Sequence, residues 1–478
     1  MTIRILPLFL FLVLIPFLLP ARVLEVGAGR TMTLPSQAAA AAQDGDTISI
    51  DAGEYVDACR WSAHNLLIRG IGGYAHVRDK CYGGKAIWVI QGNNTTVEWI
   101  EFSGATVPDK NGAGIRQEGT TLTIRRCFFH DNEDGILAGD NSQSRILIEY
   151  SEFARCGYGD GFSHNMYINH IAEFTIRYSY IHHAKVGHNI KSRALRTFIL
   201  CNGITSGDDG NPSREIDLPN GGLAVIAGNV IVHGVNTQNS NLIGYGQEGL
   251  TNPVHNLYVV HNTFSTARSA GTFVSFSGSG IDTVVVKNNL FAGRASMLGG
   301  SAVMLDTAAN LYSTDIATFR LSDPAAFDYR PLFDSPAIDR AVDAGSLEGT
   351  PLLPVMEYAH PAGSRSRTLA LLPDIGALEF LPPVSVSATT PPANFSLAGI
   401  WPNPATDAVT LSLEISQSAV LRVELYDING KLMHGIGTVE MQSGVHAVNL
   451  WLSHIPRGWY ICRVSDGRNA AARWLLLQ

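Results

Sequence analysis

The sequence predicts an all-β molecule: a long solenoid of stacked short coils, followed by a small β-sandwich. Three observations carry that expectation. Charged residues make up 16% of the chain and glycines number 47 of 478, a turn-rich composition that favours strands over helix bundles. An aliphatic residue followed five positions later by Phe, Ile or Val recurs as Leu66/Ile71, Val97/Phe102, Ile124/Phe129, Ile148/Phe153, Ile176/Ile181, Ile199/Ile204, Val225/Val230, Val259/Phe264 and Val286/Phe291. Their first members stand 31, 27, 24, 28, 23, 26, 34 and 27 residues apart, so each unit is a coil too short to fold alone, with variable insertions. Between Asp328 and Phe380 the period fades, and beyond it strands alternate in the manner of a sandwich.

Residues 1–21 read as a signal peptide. Arg4 supplies the positive start, Ile5 to Leu19 the apolar core, and Leu19-Pro20-Ala21 the end. That core is shorter than the roughly 20 residues of a bilayer span, so export is expected rather than anchoring. Six cysteines follow without a CxxC pair, so no zinc site is expected; Cys59 with Cys81 is the expected disulfide of an exported chain. Cys127 and Cys201 fall inside strand patterns, as small core residues do. A net charge of −8 with no basic cluster argues against nucleic acid as a partner.

Residues 22–300 are expected to form the solenoid with an N-terminal helix cap. Ser36 is placed as N-cap of a helix through Ala38–Ala42, ahead of the strand that ends at Ile50. Such a cap shields an open edge. In each coil the anchor pair should face inward while a polar or small residue turns the corner between its members. Asn202, Asn262 and Asn289 all fall three positions after a first anchor, where asparagines can bond along the stack. Residues 301–380 are expected to be final coils and a C-terminal cap, closed by Asp334–Asp339 and Pro373–Phe380. Residues 381–398, with Pro382, Pro383, Pro391 and Pro392 among Ser and Thr, form a linker. Residues 399–478 form the sandwich, and the protein is expected to be a monomer.

Polar residues concentrate on three consecutive coils. The first carries His164, Asn165 and Tyr167. The second is Gly187-His188-Asn189-Ile190-Lys191-Ser192-Arg193. The third carries Arg214, Glu215, Asp217 and Asn220, with Tyr245 and Glu248 one coil on. Alternation along a strand would set Asn189, Lys191 and Arg193 on one face and Ile190 and Ser192 on the other. Adjacent strands lie about 4.8 Å apart, within reach of one sugar ring. Asp208-Asp209-Gly210-Asn211 reads first as a solvated turn; the alternative is a calcium loop, as oxygen-rich turns can be.

The coil period resembles the right-handed parallel β-helix of pectate-lyase-like proteins, over about Arg22 to Gly293. The tail resembles the C-terminal sorting domain of the type IX secretion system, through Pro402-Asn403-Pro404-Ala405, the Tyr426-Asp427 turn with Gly430-Lys431, and the Gly458-Trp459-Tyr460 strand. That resemblance implies the type IX machinery as partner and an extracellular or outer-membrane surface location. The segments around His164, Lys191 and Asp217 resemble a widespread group of bacterial β-helix proteins. The Lys191-Ser192 pair is similar to strands of β-helix alginate and chondroitin lyases, and the histidine-then-Ser-Arg pattern to alginate C5-epimerases, although Gly161-Phe162-Ser163-His164 departs from the epimerase D-P-H-D.

The expected chemistry is therefore β-elimination at a uronate of an acidic polysaccharide, or C5-epimerisation. Arg193 or Arg214 would neutralise the carboxylate. Lys191 would remove the C5 proton, with nearby positive charge favouring its neutral form, and His188 or His164 are the other candidate bases. Tyr167 or a histidine would protonate the leaving oxygen. Asn165, Asn189, Glu215, Asp217, Asn220, Tyr245 and Glu248 are the expected binding residues. Two alternatives stay open: a β-helix hydrolase using two of Asp160, Glu215 and Asp217 at roughly 5–9.5 Å separation, and a non-catalytic carbohydrate-binding or adhesive surface protein.

Overall fold

A computed structural model describes residues 22–276, 279–369, 371–381, 394–427, 430–467 and 469–478. The signal-peptide reading of 1–21, the linker stretch 382–393 and residues 428 and 429 of the expected tail turn lie outside them. The chain divides into two compact units, Met1–Phe380 and Leu381–Gln478.

The first unit is a parallel β-helix. Among the described residues, ten strands from Cys59–Trp61 to Ser296–Gly299 form one sheet, each paired in parallel with its counterpart on the next coil. The anchor-bearing strands, from Val23–Val26 to Leu311–Ser313, form a second and larger parallel sheet. Seven of the nine expected anchor pairs stack in register and are buried in one core. Phe102, Phe129 and Phe153 lie face to face at 4.9 and 4.6 Å. Each such ring contributes about 1.5–3 kcal/mol of burial.

Two anchor pairs differ from expectation. Ile71 is 41% exposed. The residues that stack on Val97 and Phe102 are Ile68 and Val77, because the strand Leu67–Arg78 takes a longer path round its corner. In a later coil it is Ile226 and Ile231 that stack on Ile199 and Ile204. That shift of one residue turns Val225 outward, to pack with Val285 and Leu352.

The corner itself is unlike the polar or small residue expected. Two positions after the first anchor the backbone is left-handed, with φ of 57° at Trp99, 49° at Arg126, 51° at Tyr150 and 58° at Tyr178. A non-glycine residue there costs about 1–2 kcal/mol. What offsets the cost is pairing: Arg126 N–H donates to Glu149 O at 3.1 Å, and Cys201 N–H to Ala227 O at 2.8 Å, so the bend keeps its coil-to-coil bond. Cys201 thus occupies a corner (φ 53°) rather than a strand, and its thiol faces the Met356 carbonyl.

The residue after each corner builds the ladder. Ser179 N–H donates to Asn202 Oδ1, Asn202 to Asn229, Asn229 to Asn262, Asn262 to Asn289 and Asn289 to Asn310, all at 2.9–3.0 Å. Asn229 and Asn310 extend the three asparagines expected. Asn229 escaped notice because its coil's anchor was set one residue early.

The first helix is Pro35–Ala41, with Leu34, not Ser36, at its N-cap. Its free N–H groups are met from elsewhere: Gln37 Oε1 accepts from Leu34 at 3.1 Å and Asp57 Oδ2 from Ser36 at 2.7 Å. Cys59 and Cys81 are free thiols, as are the other four cysteines, so the expected disulfide is absent. Residues 316–369 and 371–380 lie along the flank of the coils rather than across their end. Phe319, Tyr329, Tyr358 and Leu378 pack on Cys201, Val230 and Leu290, while Met304 and Leu305 of the last coil stay about half exposed.

The second unit is a two-layer antiparallel sandwich. Phe395–Trp401, Ala408–Ile415 and Gly444–Trp451 form one sheet; Leu432–Met441, Ala419–Asp427, Gly458–Ser465 and Ala470–Leu477 form the other. Leu411, Leu413, Val423, Cys462 and Leu475 fill the space between. Asn403 pins the opening segment to the last strand, accepting from Leu476 N–H at 2.9 Å and donating to Trp474 O at 2.9 Å.

Candidate active site

The ten-stranded sheet presents one outward side chain per coil at the same register. Along it run Val89, Arg116, Leu137, Tyr167, Lys191, Asp217 and Gly244. The local cause is alternation: Met166 and Ile168, Ile190 and Ser192, and Ile216 and Leu218 all point into the core and force the residue between them out. The row begins apolar, where Val89 and Leu137 pack with Tyr167. Arg116 interrupts that apolar part, and from Lys191 to Asp217 the row is charged. Gly244 ends this stretch because a Cβ there would stand 2.9 Å from Arg214 Nε and 3.0 Å from Asp217 Oδ1. The glycine is the space into which Arg214 lies.

Five charged groups interlock here. Lys191 Nζ stands 2.8 Å from Glu248 Oε1 and 3.7 Å from Asp217 Oδ2. Arg193 donates to Glu248 Oε2 at 2.5 Å, to Tyr167 Oη at 3.0 Å and to Asn220 Oδ1. Arg214 pairs with Asp217 Oδ1 at 2.9 Å. Three cations, Lys191, Arg193 and Arg214, therefore face two carboxylates, Asp217 and Glu248, and the groove keeps an excess of positive charge. Burial pushes the Asp217 carboxyl up, against the pull of Arg214 and Lys191. Partial burial acts the same way on Glu248, yet hydrogen bonds from Lys191 and Arg193 bring it down to about 2. Glu248 reaches the seat from a turn whose N–H donates to Pro219 O at 3.0 Å.

The histidines form a second row. His164 N–H donates to Asp134 Oδ1 at 2.8 Å, His188 N–H to His164 Nδ1 at 2.9 Å, and Arg214 N–H to His188 Nδ1 at 3.1 Å. The two rings stack at 5.1 Å. Gly187 permits this approach, since a Cβ there would meet Ser163 O at 1.8 Å. Burial, aided by the neighbouring cations, holds both imidazoles well below their ordinary range, so they are neutral. With Nδ1 occupied as an acceptor, the single proton of each ring sits on Nε2. His188 Nε2 faces Asp217 Oδ2 at 3.5 Å.

Not every expected site residue reaches the groove. Asn189 precedes its strand and turns inward, so it does not share a face with Lys191. Asn165 donates to Asn189 Oδ1 at 2.7 Å, Asn189 to Glu215 Oε2 at 2.5 Å, and Glu215 Oε1 meets His233 Nδ1 at 3.0 Å, all fully buried. Tyr245 is also interior, its hydroxyl donating to Gly222 O at 2.5 Å. Asn220 lies against Arg193 and Gly249 O at the groove edge. Asp209 is a solvated turn residue 3.1 Å from His183 Nε2, and neither it nor Asp208 belongs to a group of three metal-ligand side chains among the described residues. Asp160 caps its own turn, accepting from Phe162 N–H at 3.0 Å. Arg116 and Asp134 were not expected at the site. Counting outward positions back from Lys191 by register finds the first; nothing in the sequence distinguishes the second from a turn aspartate.

Comparison with known proteins bears on fold and export. Residues 399–478 match the family model described as the secretion system C-terminal sorting domain. The tail is a type IX sorting domain. It marks the protein for the cell surface or the extracellular space. The solved pectate lyase Pel9A is similar over 75% of this chain and 96% of that one, with a TM-score of 0.50 and 13% identity. An alginate lyase from Paenibacillus sp. str. FPU-7 aligns over 61% of this chain and 99% of its own at 13% identity, with a TM-score of 0.33. At this identity the likeness to Pel9A is one of fold, the parallel β-helix. No curated protein matches the chain.

Proposed function

We propose that the protein is a polysaccharide lyase that cleaves an acidic polysaccharide by β-elimination at a uronate bound in this groove. The observation that carries the reading is the position of Glu248: one oxygen on Lys191, the other on Arg193, at 2.8 and 2.5 Å. A carboxylate already lies across that pair, so Lys191 and Arg193 form a seat of the right size and charge for the carboxylate of a uronic acid. The incoming uronate displaces Glu248, and the exposed turn that carries it swings aside.

With the carboxylate on Arg193, the C5 proton becomes removable. Once Glu248 has been displaced, Lys191 gives up its own proton to solvent, Arg193 alone holds the carboxylate, and Lys191 Nζ then takes the C5 proton. The C5–H electrons form the C4–C5 double bond as the C4–O bond breaks. Tyr167, whose oxygen already accepts from Arg193 Nε, supplies its O–H proton to the leaving oxygen. His164 and His188 are not the base, because the ring nitrogen that faces the groove carries the proton; they orient Asp217 and the Arg214 backbone. Hydrolysis is less well supported, since Glu215 is sealed in the interior and Asp217 is held by Arg214. Export by the N-terminal signal peptide followed by the sorting tail would deliver the protein, as a monomer, to its polymer.

Ultraviolet absorbance during incubation with alginate, pectate, chondroitin and heparin tests the reading. Elimination leaves a conjugated C4–C5 double bond, and absorbance should rise with one of the four and vanish in Lys191→Ala. New reducing ends without absorbance would instead establish a hydrolase.

A further inference from the structure

A second constellation lies on the large sheet, away from the groove. His76 belongs to the strand Leu67–Arg78, Glu101 to Ile100–Ser103 and His130 to Phe128–His130, on three successive coils. His76 and Phe128 both pair in register with Glu101, which sets His130 one outward step along the same face. A ring nitrogen of each histidine and a Glu101 carboxylate oxygen all lie within 4.8 Å of one another. His130 Nε2 is 2.9 Å and His76 Nδ1 3.7 Å from Glu101 Oε1.

The hydrogen-bond inventory around His130 does not close with a neutral imidazole. His130 faces Asp131 Oδ2 through Nδ1 at 2.8 Å and Glu101 through Nε2, yet a neutral ring has one N–H to give. His76 closes its own inventory as a neutral ring, Nδ1–H donating to Glu54 Oε1 at 3.0 Å and Nε2 accepting from Ser103 Oγ at 2.7 Å, with Glu101 Oε1 3.7 Å from Nδ1. A divalent cation resolves the conflict at His130 and is compatible with the other tautomer of His76. Bound to His130 Nε2, His76 Nδ1 and Glu101 Oε1, it leaves His130 Nδ1–H to donate to Asp131 and His76 Nε2–H to donate to Ser103. A ligating imidazole whose other nitrogen is held by an oxygen acceptor is the usual support of a metal site.

We infer that His76, Glu101 and His130 form a binding site for zinc or a chemically similar divalent ion, clipping three coils of the solenoid. Two imidazoles and a carboxylate suit zinc, with the fourth position open to water or to Glu54. Bonds of about 2.0–2.2 Å place tetrahedral ligand atoms about 3.3 Å apart. The separations of 2.9 and 3.7 Å to Glu101 bracket that value, and the two ring nitrogens lie within 4.8 Å of each other. The missing CxxC pair that argued against zinc in the sequence concerns thiolate sites and says nothing of imidazole donors. All three side chains are partly exposed, which gives the ion a path in.

Calorimetric titration of the full chain with zinc, paired with the visible spectrum of a cobalt(II) substitute, tests this. One equivalent should bind, cobalt should give a tetrahedral spectrum, and the melting temperature should rise. His76→Ala and His130→Ala should abolish binding, and Asp131→Asn, which removes the carboxylate supporting His130 along with its ion pair to Arg155, should weaken it about 10–100-fold. Failure of the wild-type chain to bind zinc would overturn the proposal. Binding that survives His130→Ala but is lost in His434→Ala would also overturn it, by assigning the ion to the exposed His434–His454 pair, which stands at 3.3 Å.

Discussion

Asn189 and Lys191 stand two residues apart on one coil and live under opposite rules. Asn189 lies in a sealed row with Asn165, Glu215 and His233, where each polar atom meets a protein partner. Lys191 lies in an open row with Tyr167 and Asp217, where its partner Glu248 rests on a half-exposed turn. Both rows are polar and continuous across coils. The sealed row holds the coil because removing any member strands a buried partner. The open row is replaceable, and so is free to exchange partners with a ligand. Polar clustering therefore marks two different things in a solenoid, and only exposure of the partner separates them.

The sharpest way to break the comparison is to delete one residue from each row. Lys191→Ala should lower the elimination rate about 10²–10⁴-fold while leaving the denaturation midpoint nearly unchanged. Glu215→Ala should do the reverse, destabilising by about 3–5 kcal/mol in urea unfolding because His233 and Asn189 lose their buried partner. If Glu215→Ala were as stable as wild type, the sealed row would not be structural. Asn262→Ala, in the corner ladder, should cost about 1–3 kcal/mol, since it bonds Ile226 O, Val260 O and Asn289 at once.

Smaller effects sharpen the boundary between the rows. His188 belongs to a row that touches both. Its neutral state is enforced by burial, well below an ordinary value of 6.5, so the stability it contributes is complete above that value and is lost as pH falls beneath it. His188→Gln should therefore show a smaller loss of unfolding free energy between pH 7 and pH 5 than wild type. Glu248→Gln should empty the seat of its resident charge. The KM for a uronate polymer should fall about fivefold, equivalent to about 1 kcal/mol for a half-exposed ion pair, with little change in stability. An unchanged KM would show that Glu248 does not compete for the seat.

Much of this molecule was legible in its residues, and the misreadings have a common root. The anchor period gave the coils, and Lys191, Arg193, Tyr167, Arg214 and Asp217 do converge. What failed was face assignment. Alternation holds only within the strand, and Ile190–Ser192 is three residues long, so Asn189 lies beyond its reach. The left-handed corners hid for a similar reason. Trp99 and Tyr178 have no local preference for that conformation and adopt it because the neighbouring coil supplies a carbonyl for their N–H. Tyr245 looked like a groove aromatic in sequence, but the Gly222 carbonyl that draws its hydroxyl inward comes from the coil before.

The corner ladder also acts as a phase reset. Its asparagines are 27, 33, 27 and 21 residues apart, yet every step is the same bond. Whatever length of chain a coil spends elsewhere, its backbone is returned to one fixed mark before the next turn starts. An insertion in a coil's other loops is therefore not carried forward as an error in register. Loops around the groove can lengthen, shorten or be exchanged one at a time, while the residues they surround keep their spacing. In such a chain the groove is free to drift in evolution, or to be redesigned by grafting, without the scaffold having to be solved again.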